Sequence, residues 1–265
     1  MVRFFAELND ISGDTIRLGP DETAHIRSLR LRPDELFIVC DGAGTDCVCR
    51  LGTTAASGTG SGDTTSGDTG RSANGRGESS FAVILESHPS RGEPSVACTV
   101  YLALTKGDRL DYAVQKSIEL GAYNFVLFPS GRCVCDPSDI SKKVTRLQRI
   151  ALETAKQCGR GRVPSVSAQT SFRAAVNAAS GAGDGLSLFL YEDEKNLHIK
   201  QALEQHYIGG PVSIMTGPEG GFEPHEVELA ASAGMLRVSL GPRILRCETA
   251  PAAALAALMF FTDNL

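Results

Sequence analysis

The chain has 265 residues, 42% of them hydrophobic, and a formal net charge of −5. That length and apolar content supply the core of one large domain or two ordinary ones, and the acidic balance excludes a protein that grips nucleic acid over its whole surface. The longest uncharged apolar stretch, Ala250 to Phe261, is too short to span a bilayer, and MVRFFAELND has no apolar signal region, so a cytoplasmic protein without membrane contact is expected.

From the N-terminus the pattern alternates as short strands do: VRFFA, DTIRL, LFIVC and then TDCVCRL, in which Cys47, Cys49 and Leu51 share one face at period two. Between them only DETAHIRSLR reads as a helix, and it begins a basic cluster, Arg27, Arg30 and Arg32, that nearby acids partly neutralise. DGAGTD (41–46) lacks the third glycine of a dinucleotide loop and is followed by a strand, which makes it a hairpin turn. Residues 52–80 contain no Val, Ile, Leu, Met or aromatic residue, so they cannot offset the entropy of ordering and are expected to form a mobile loop. The strand FAVILES resumes after it. Residues 1–90 therefore read as a small β-barrel-like domain with a disordered hairpin tip, and residues 91–265 as a second domain.

The pattern changes from Ser95 onward. Strands at VACTVYLAL, NFVLFPS, LSLFLYE, PVSIMTG and MLRVSL alternate with helices at about 108–120, 140–158, 171–180, 195–206, 224–233 and 249–262. Such alternation implies an α/β fold with a mostly parallel sheet covered on both faces, and ligands in such sheets bind beyond the carboxyl ends of the strands. GAGDG (181–185) reads as a helix-to-strand linker. The eight cysteines read as reduced thiols; the pairs Cys47/Cys49 and Cys133/Cys135 have C-x-C spacing with no partnering histidines, so no metal site is expected. Residues 141–162 hold seven basic residues, including Arg160 and Arg162, against the single acid Glu153. That face is either solvated or a local contact for phosphates.

Two loops could carry chemistry. After the strand PVSIMTG, the segment TGPEGGFEPHE places Gly217, Gly220 and Gly221 where a ligand would sit, with Pro224 suited to the first helical position and Glu223, Glu226 and Glu228 complementing the helix dipole. Acids in that first turn compete with a phosphate, and no Lys-Ser/Thr follows as a P-loop requires. Taken alone the loop is a tight turn or a ligand site. After MLRVSL, the segment GPRILRCETA sets Arg243, Arg246 and Glu248 before a helix apolar on every side, which must be buried in the core or against a second subunit. Arg246 and Glu248 form either a structural ion pair or charged groups facing a cleft.

Four segments, TGPEGGF (216–222), SLGPRILRCETA (239–250), ALTKGDRLDYAVQKSIELGA (103–122) and ETAKQCGRGRVP (153–164), together resemble the RsmE family, and RFF with AHIRSLRLRP (24–33) resembles that family's N-terminal domain. The resemblance implies an S-adenosylmethionine-dependent methyltransferase acting on N3 of a uridine in 16S ribosomal RNA of the small ribosomal subunit. It also implies an N-terminal PUA-like β-barrel that binds RNA, a C-terminal knotted SPOUT domain, and a homodimer. By position it assigns the methyl donor to Thr216, Gly217, Gly220, Gly221, Leu240, Gly241, Ile244, Leu245 and Arg246; the basic clusters make Arg27, Arg30, Arg32, Arg160 and Arg162 the expected RNA contacts. The sequence departs from the family pattern at Glu223, at Pro251 and in the insertion 52–80. Uridine N3 must lose a proton to attack a methyl group, so Arg246 is expected to stabilise charge on the base and Glu248 or Glu219 to position it or accept the proton. Two alternatives stand beside this reading: a non-catalytic RNA-binding protein, and a SPOUT methyltransferase acting on another RNA.

Overall fold

The computed structural model describes residues 1–52, 80–181 and 185–265. The expected mobile loop therefore falls, apart from its end residues Gly52 and Ser80, outside the described residues, as does the centre of GAGDG. The chain divides into two compact units, Met1–Ser90 and Arg91–Leu265.

The first unit contains β1 (Arg3–Phe5), β2 (Ile11–Ser12), β3 (Thr15–Leu18), α1 (Pro20–Leu29), β4 (Phe37–Cys40), β5 (Thr45–Leu51) and β6 (Ser80–Pro89). The strands form one curled, half-barrel sheet in the order β1-β4-β5-β6-β3-β2, antiparallel except for the parallel β1–β4 pair. Phe4, Ile16, Leu18, Phe37, Val39 and Cys49 fill its concave side with Ile26 of α1, each large apolar side chain contributing roughly 1.5–3 kcal/mol by leaving water. DGAGTD is the β4–β5 turn: Asp41 Oδ1 accepts from the amides of Ala43 (2.8 Å) and Thr45 (2.9 Å), and Gly42 and Gly44 take positive φ, as a side-chain-bearing residue rarely does. The register shift in the β5–β6 pairing falls on β6, where Leu85 has no partner, so Cys47, Cys49 and Leu51 keep the expected common face toward the core; Asp46 is buried as well. Asp46 is held there by the Arg3 guanidinium, whose Nη1 and Nη2 reach its two oxygens at 2.7 and 2.8 Å, and by hydroxyl and thiol donors from Ser90 and Cys40.

The second unit runs β7 (Cys98–Ala103), α2 (Arg109–Glu119), β8 (Asn124–Phe128), α3 (Ile140–Cys158), β9 (Ser165–Ala168), α4 (Phe172–Ser180), β10 (Leu186–Leu190), α5 (Ile199–His206), β11 (Val212–Thr216), α6 (Pro224–Ser232), β12 (Leu236–Val238) and α7 (Ala250–Phe261). Its sheet has the order β12-β10-β11-β7-β8-β9, and every pairing is parallel. Successive residues of the central strands point to opposite faces. Cys98, Val100 and Leu102 join α2, α3, α5 and α7 in one core, while Tyr101 and Ala103 join α4 and α6 in the other. Helix α2 stops where Gly121 takes φ +94 and α3 where Gly159 takes φ +81. The sequence reading omits β9, because SVSA offers Val166 alone to the core and sits on the sheet edge.

Candidate active site

Parallel strands deliver their carboxyl ends to one side of a sheet. Here the segments following β10, β11 and β12 and the first residue of α2 enclose a cleft of about 470 Å³, within the usual range for small-molecule sites.

The β11 loop makes one wall. Thr216 is buried, with its hydroxyl 3.3 Å from the Tyr101 carbonyl. A Cβ at Gly217 would stand 2.9 Å from the Phe222 ring, which belongs to the core, so the backbone turns where no side chain fits. The Gly221 amide donates to the Pro218 carbonyl at 3.0 Å, closing the turn. Gly221 has φ +68, and a Cβ there would run into the Glu192 carboxylate. The helix that follows is anchored by Glu226, which is 2% exposed. Its carboxylate accepts from the Glu223 amide (2.9 Å), the Gly131 amide (2.9 Å) and the Ser130 hydroxyl (3.1 Å). The acid expected to complement the helix dipole therefore also ties the loop after β8 to the start of α6.

The second wall is 239–250. Gly241, at φ +114, returns its amide to the Ser239 hydroxyl at 3.2 Å. On either side of it Leu240, Ile244 and Leu245 line the cleft, and Ile244, 84% exposed, forms an apolar lip. The amides of Thr249 and Ala250 both donate to the Arg246 carbonyl at 2.9 Å, turning the chain into α7.

Charged groups meet between the walls. Arg109 Nη1 donates to Glu219 Oε1 at 2.9 Å and to the Lys106 carbonyl at 3.1 Å, and its Nε lies 3.9 Å from Glu248 Oε2. Arg246 is 3.9 Å from the other Glu248 oxygen, with its side chain 83% exposed. The Cys247 thiol donates to Glu248 at 3.3 Å. Burial, that hydrogen bond and the neighbouring charges of Glu248 and Glu219 push the thiol up to about 12 against the opposing charge of Arg109, so Cys247 is a neutral donor to the carboxylate rather than a nucleophile.

Of the residues singled out from sequence, Thr216, Gly217, Gly221, Leu240, Gly241, Ile244, Leu245, Arg246, Glu219 and Glu248 line this one cleft. Gly220 does not; its carbonyl faces away and accepts from Arg132 Nη1 at 2.9 Å. Sequence reasoning missed Arg109 and the Leu190–Glu192 segment, although the strand-end rule applied to LSLFLYE already pointed to the latter. Arg27, Arg30 and Arg32 are exposed on the first unit. The guanidinium of Arg162 lies 3.7 Å over the Tyr123 ring. The expected RNA contact at Arg160 is corrected: it is 3% exposed, its Nε and Nη2 both reach Glu93 at 2.8 Å, and its Nη1 donates to the carbonyls of Ile118 and Ala122 at 3.2 and 3.0 Å. Within the chain α7 is not buried on every side either: Ala254, Leu255, Leu258 and Met259 are enclosed, but Phe260 is 76% exposed. Among the described residues, no cluster of side chains could hold a metal ion, and no helix is long and apolar enough to cross a membrane.

Comparison with known proteins places this cleft in a family. Residues 92–259 match the family model described as an RNA methyltransferase domain. Over its full length the chain is 30% identical to "Ribosomal RNA small subunit methyltransferase E" of Bacillus subtilis, spanning 98% of that relative. It is 34% identical to the Synechocystis protein of the same name over 66% of this chain and 57% of that one. The structure of the Neisseria gonorrhoeae ribosomal RNA small subunit methyltransferase E bound to S-adenosyl methionine matches with a TM-score of 0.80 at 29% identity, covering 98% of this chain and 97% of that one. The chain belongs to the RNA methyltransferase family, among the relatives of the ribosomal RNA small subunit methyltransferases E.

Proposed function

We propose that the chain transfers a methyl group from S-adenosylmethionine to N3 of a uridine in 16S ribosomal RNA of the small ribosomal subunit. The observation that carries this reading is the convergence of the 216–221 and 239–248 loops on one cleft in a chain that matches small-subunit methyltransferases from end to end. The lining suits such a donor: an apolar face at Leu240, Ile244 and Leu245 for an adenine, and the carboxylates of Glu192, Glu219 and Glu248 for a group carrying a sulfonium and an ammonium. When bound, that donor supplies a methyl carbon open to in-line displacement, and the protein's share is then mainly positioning.

Glu248 accepts the N3 proton of the uridine and Arg246 faces the negative charge that develops on the base, while Glu219 holds the opposite wall. A positioned base of this kind contributes typically ~10²–10⁴-fold. Exposure of Arg246 and its loose 3.9 Å contact with Glu248 leave it able to follow a substrate. Arg27, Arg30, Arg32 and Arg162 supply local phosphate contacts, the first three from a PUA-like RNA-binding unit, in a cytoplasmic enzyme. Two copies pair through the exposed side of α7, and the path of 239–249 from the edge strand β12 back to α7, which packs against β11, is the thread of the knot. Incubation with labelled methyl donor and small subunits lacking the modification tests the assignment: incorporation into 16S RNA is expected, and its absence defeats the reading. Glu248→Gln and Arg246→Ala enzymes should lose single-turnover rate; full rates would remove their roles.

A further inference from the structure

We infer that Arg109 is a positioning residue for methyl transfer, the clasp that fixes Glu219 and Glu248 relative to each other; this rests on the reading of the cleft as a methyl-transfer site. Glu219 sits on the loop after β11 and Glu248 on the segment before α7, and no hydrogen bond joins those two carboxylates among the described residues. Arg109 stands between them at the first turn of α2. Its Nη1 serves both Glu219 (2.9 Å) and the Lys106 carbonyl (3.1 Å), and the Lys106 amide donates to the same Glu219 oxygen at 3.1 Å. Guanidinium, carboxylate and the backbone at Lys106 therefore form a closed ring.

That ring leaves the Arg109 Nε directed at Glu248 from 3.9 Å. Glu248 is also touched by the Cys247 thiol and, at 3.9 Å, by Arg246. The two arginines thus differ in kind. Arg246 is mostly exposed and 3.9 Å from Glu248, whereas Arg109, half as exposed, makes two hydrogen bonds through Nη1 from the first turn of a helix whose Leu110, Ala113 and Val114 lie in the core. The planar guanidinium holds its Nη1 and Nε donors at a fixed spacing, whereas the three donors of an ammonium rotate on a flexible stem. Arg109 keeps both carboxylates at a set spacing without closing a tight pair with Glu248, whose oxygen stays available to a proton.

The test uses the full chain with labelled donor and unmodified small subunits. Arg109→Ala is expected to slow single-turnover transfer, measured at saturating donor, at least thirtyfold. Arg109→Lys, which keeps the charge and loses the fork, should recover less than a third of the rate. In a double-mutant cycle with Glu219→Gln, the combined variant should be no more than about twofold slower than the slower single variant. Amide hydrogen exchange in Arg109→Ala should quicken at 219–222 and 246–250 and stay unchanged at 124–128. A folded Arg109→Ala enzyme with a rate within twofold of the parent, effects that multiply in the cycle, or unchanged exchange in both loops would overturn the inference. Absence of transfer by the parent enzyme would instead refute the functional reading, and the exchange measurement still decides the clasp; if Arg109→Ala does not fold, Arg109→Gln takes its place with the same expectations.

Discussion

Arg160 separates a structural arginine from an RNA contact, and Arg160→Met is the perturbation that does so, because methionine keeps much of the stem and removes the guanidinium. The variant loses a two-point ion pair with Glu93 at 2.8 Å and 2.8 Å and two hydrogen bonds to the carbonyls of Ile118 and Ala122 at the end of α2. Removing one partner of a buried pair costs about 3–5 kcal/mol. The lower end applies, since Glu93 keeps the amides of Gly161 and Arg162 and is partly reachable by water. The Ile118 carbonyl keeps the Gly121 amide at 3.0 Å, while the Ala122 carbonyl, which loses its Arg160 donor, adds roughly 1 kcal/mol. At about 2–4 °C per kcal/mol for a unit of this size, a fall in Tm of roughly 10 °C follows, read by calorimetry of the full chain. RNA affinity measured below the transition should keep the same slope against salt, whereas loss of a true phosphate contact lowers that slope by about one. A Tm within about 2 °C of the parent together with a reduced salt slope would refute the reasoning.

Burial raises the Asp46 carboxyl, but hydrogen bonds from Arg3, Ser90 and Cys40 outweigh it and hold it below the usual carboxylate range. A lowered folded-state value contributes stability above the unfolded value of about 3.9 that is lost as pH falls through the folded one. Urea midpoints of the first unit should therefore drop below about pH 4, and Asp46→Asn should be weaker at neutral pH yet flatter with pH; an equal slope in both would contradict this. Gly221→Ala places a Cβ at φ +68 against Glu192, a strain of about 1–2 kcal/mol, and calorimetry should find the donor bound at least fivefold more weakly; parent-like affinity would remove Gly221 from the donor wall. Phe260→Glu should convert the proposed dimer to monomer on sedimentation without loss of helix content. Leu255, wholly buried in the core, would report on folding instead, and an unchanged dimer in Phe260→Glu would rule out that side of α7.

How far the sequence reached depended on whether a feature was local. The strands with several buried apolar residues, such as NFVLF and VSIMT, announce themselves by composition, and the turn at DGAGTD by its glycines. Strand β9 does not, because its place is fixed by pairing of Asn124 with Ser165 and Phe125 with Val166, contacts some 40 residues apart. The glycines of the β11 loop and the segment 239–248 were legible through the strand-end rule, yet Gly220 differs from its neighbours only through Arg132, a residue 88 positions away. Arg160 looked like surface charge in GRGR because nothing nearby in sequence discloses Glu93. Arg109 was hidden for the same reason: both carboxylates it faces lie more than a hundred residues further on.

The central claim is that the cleft methylates uridine at N3, and the position of the methyl group is its most direct test. Small subunits lacking the modification, incubated with the chain and labelled S-adenosylmethionine, are digested and their nucleosides separated by mass spectrometry. The account predicts label in N3-methyluridine, close to one per subunit, and its loss in Glu248→Gln. Label on a ribose hydroxyl, on C5 or on another base would contradict it.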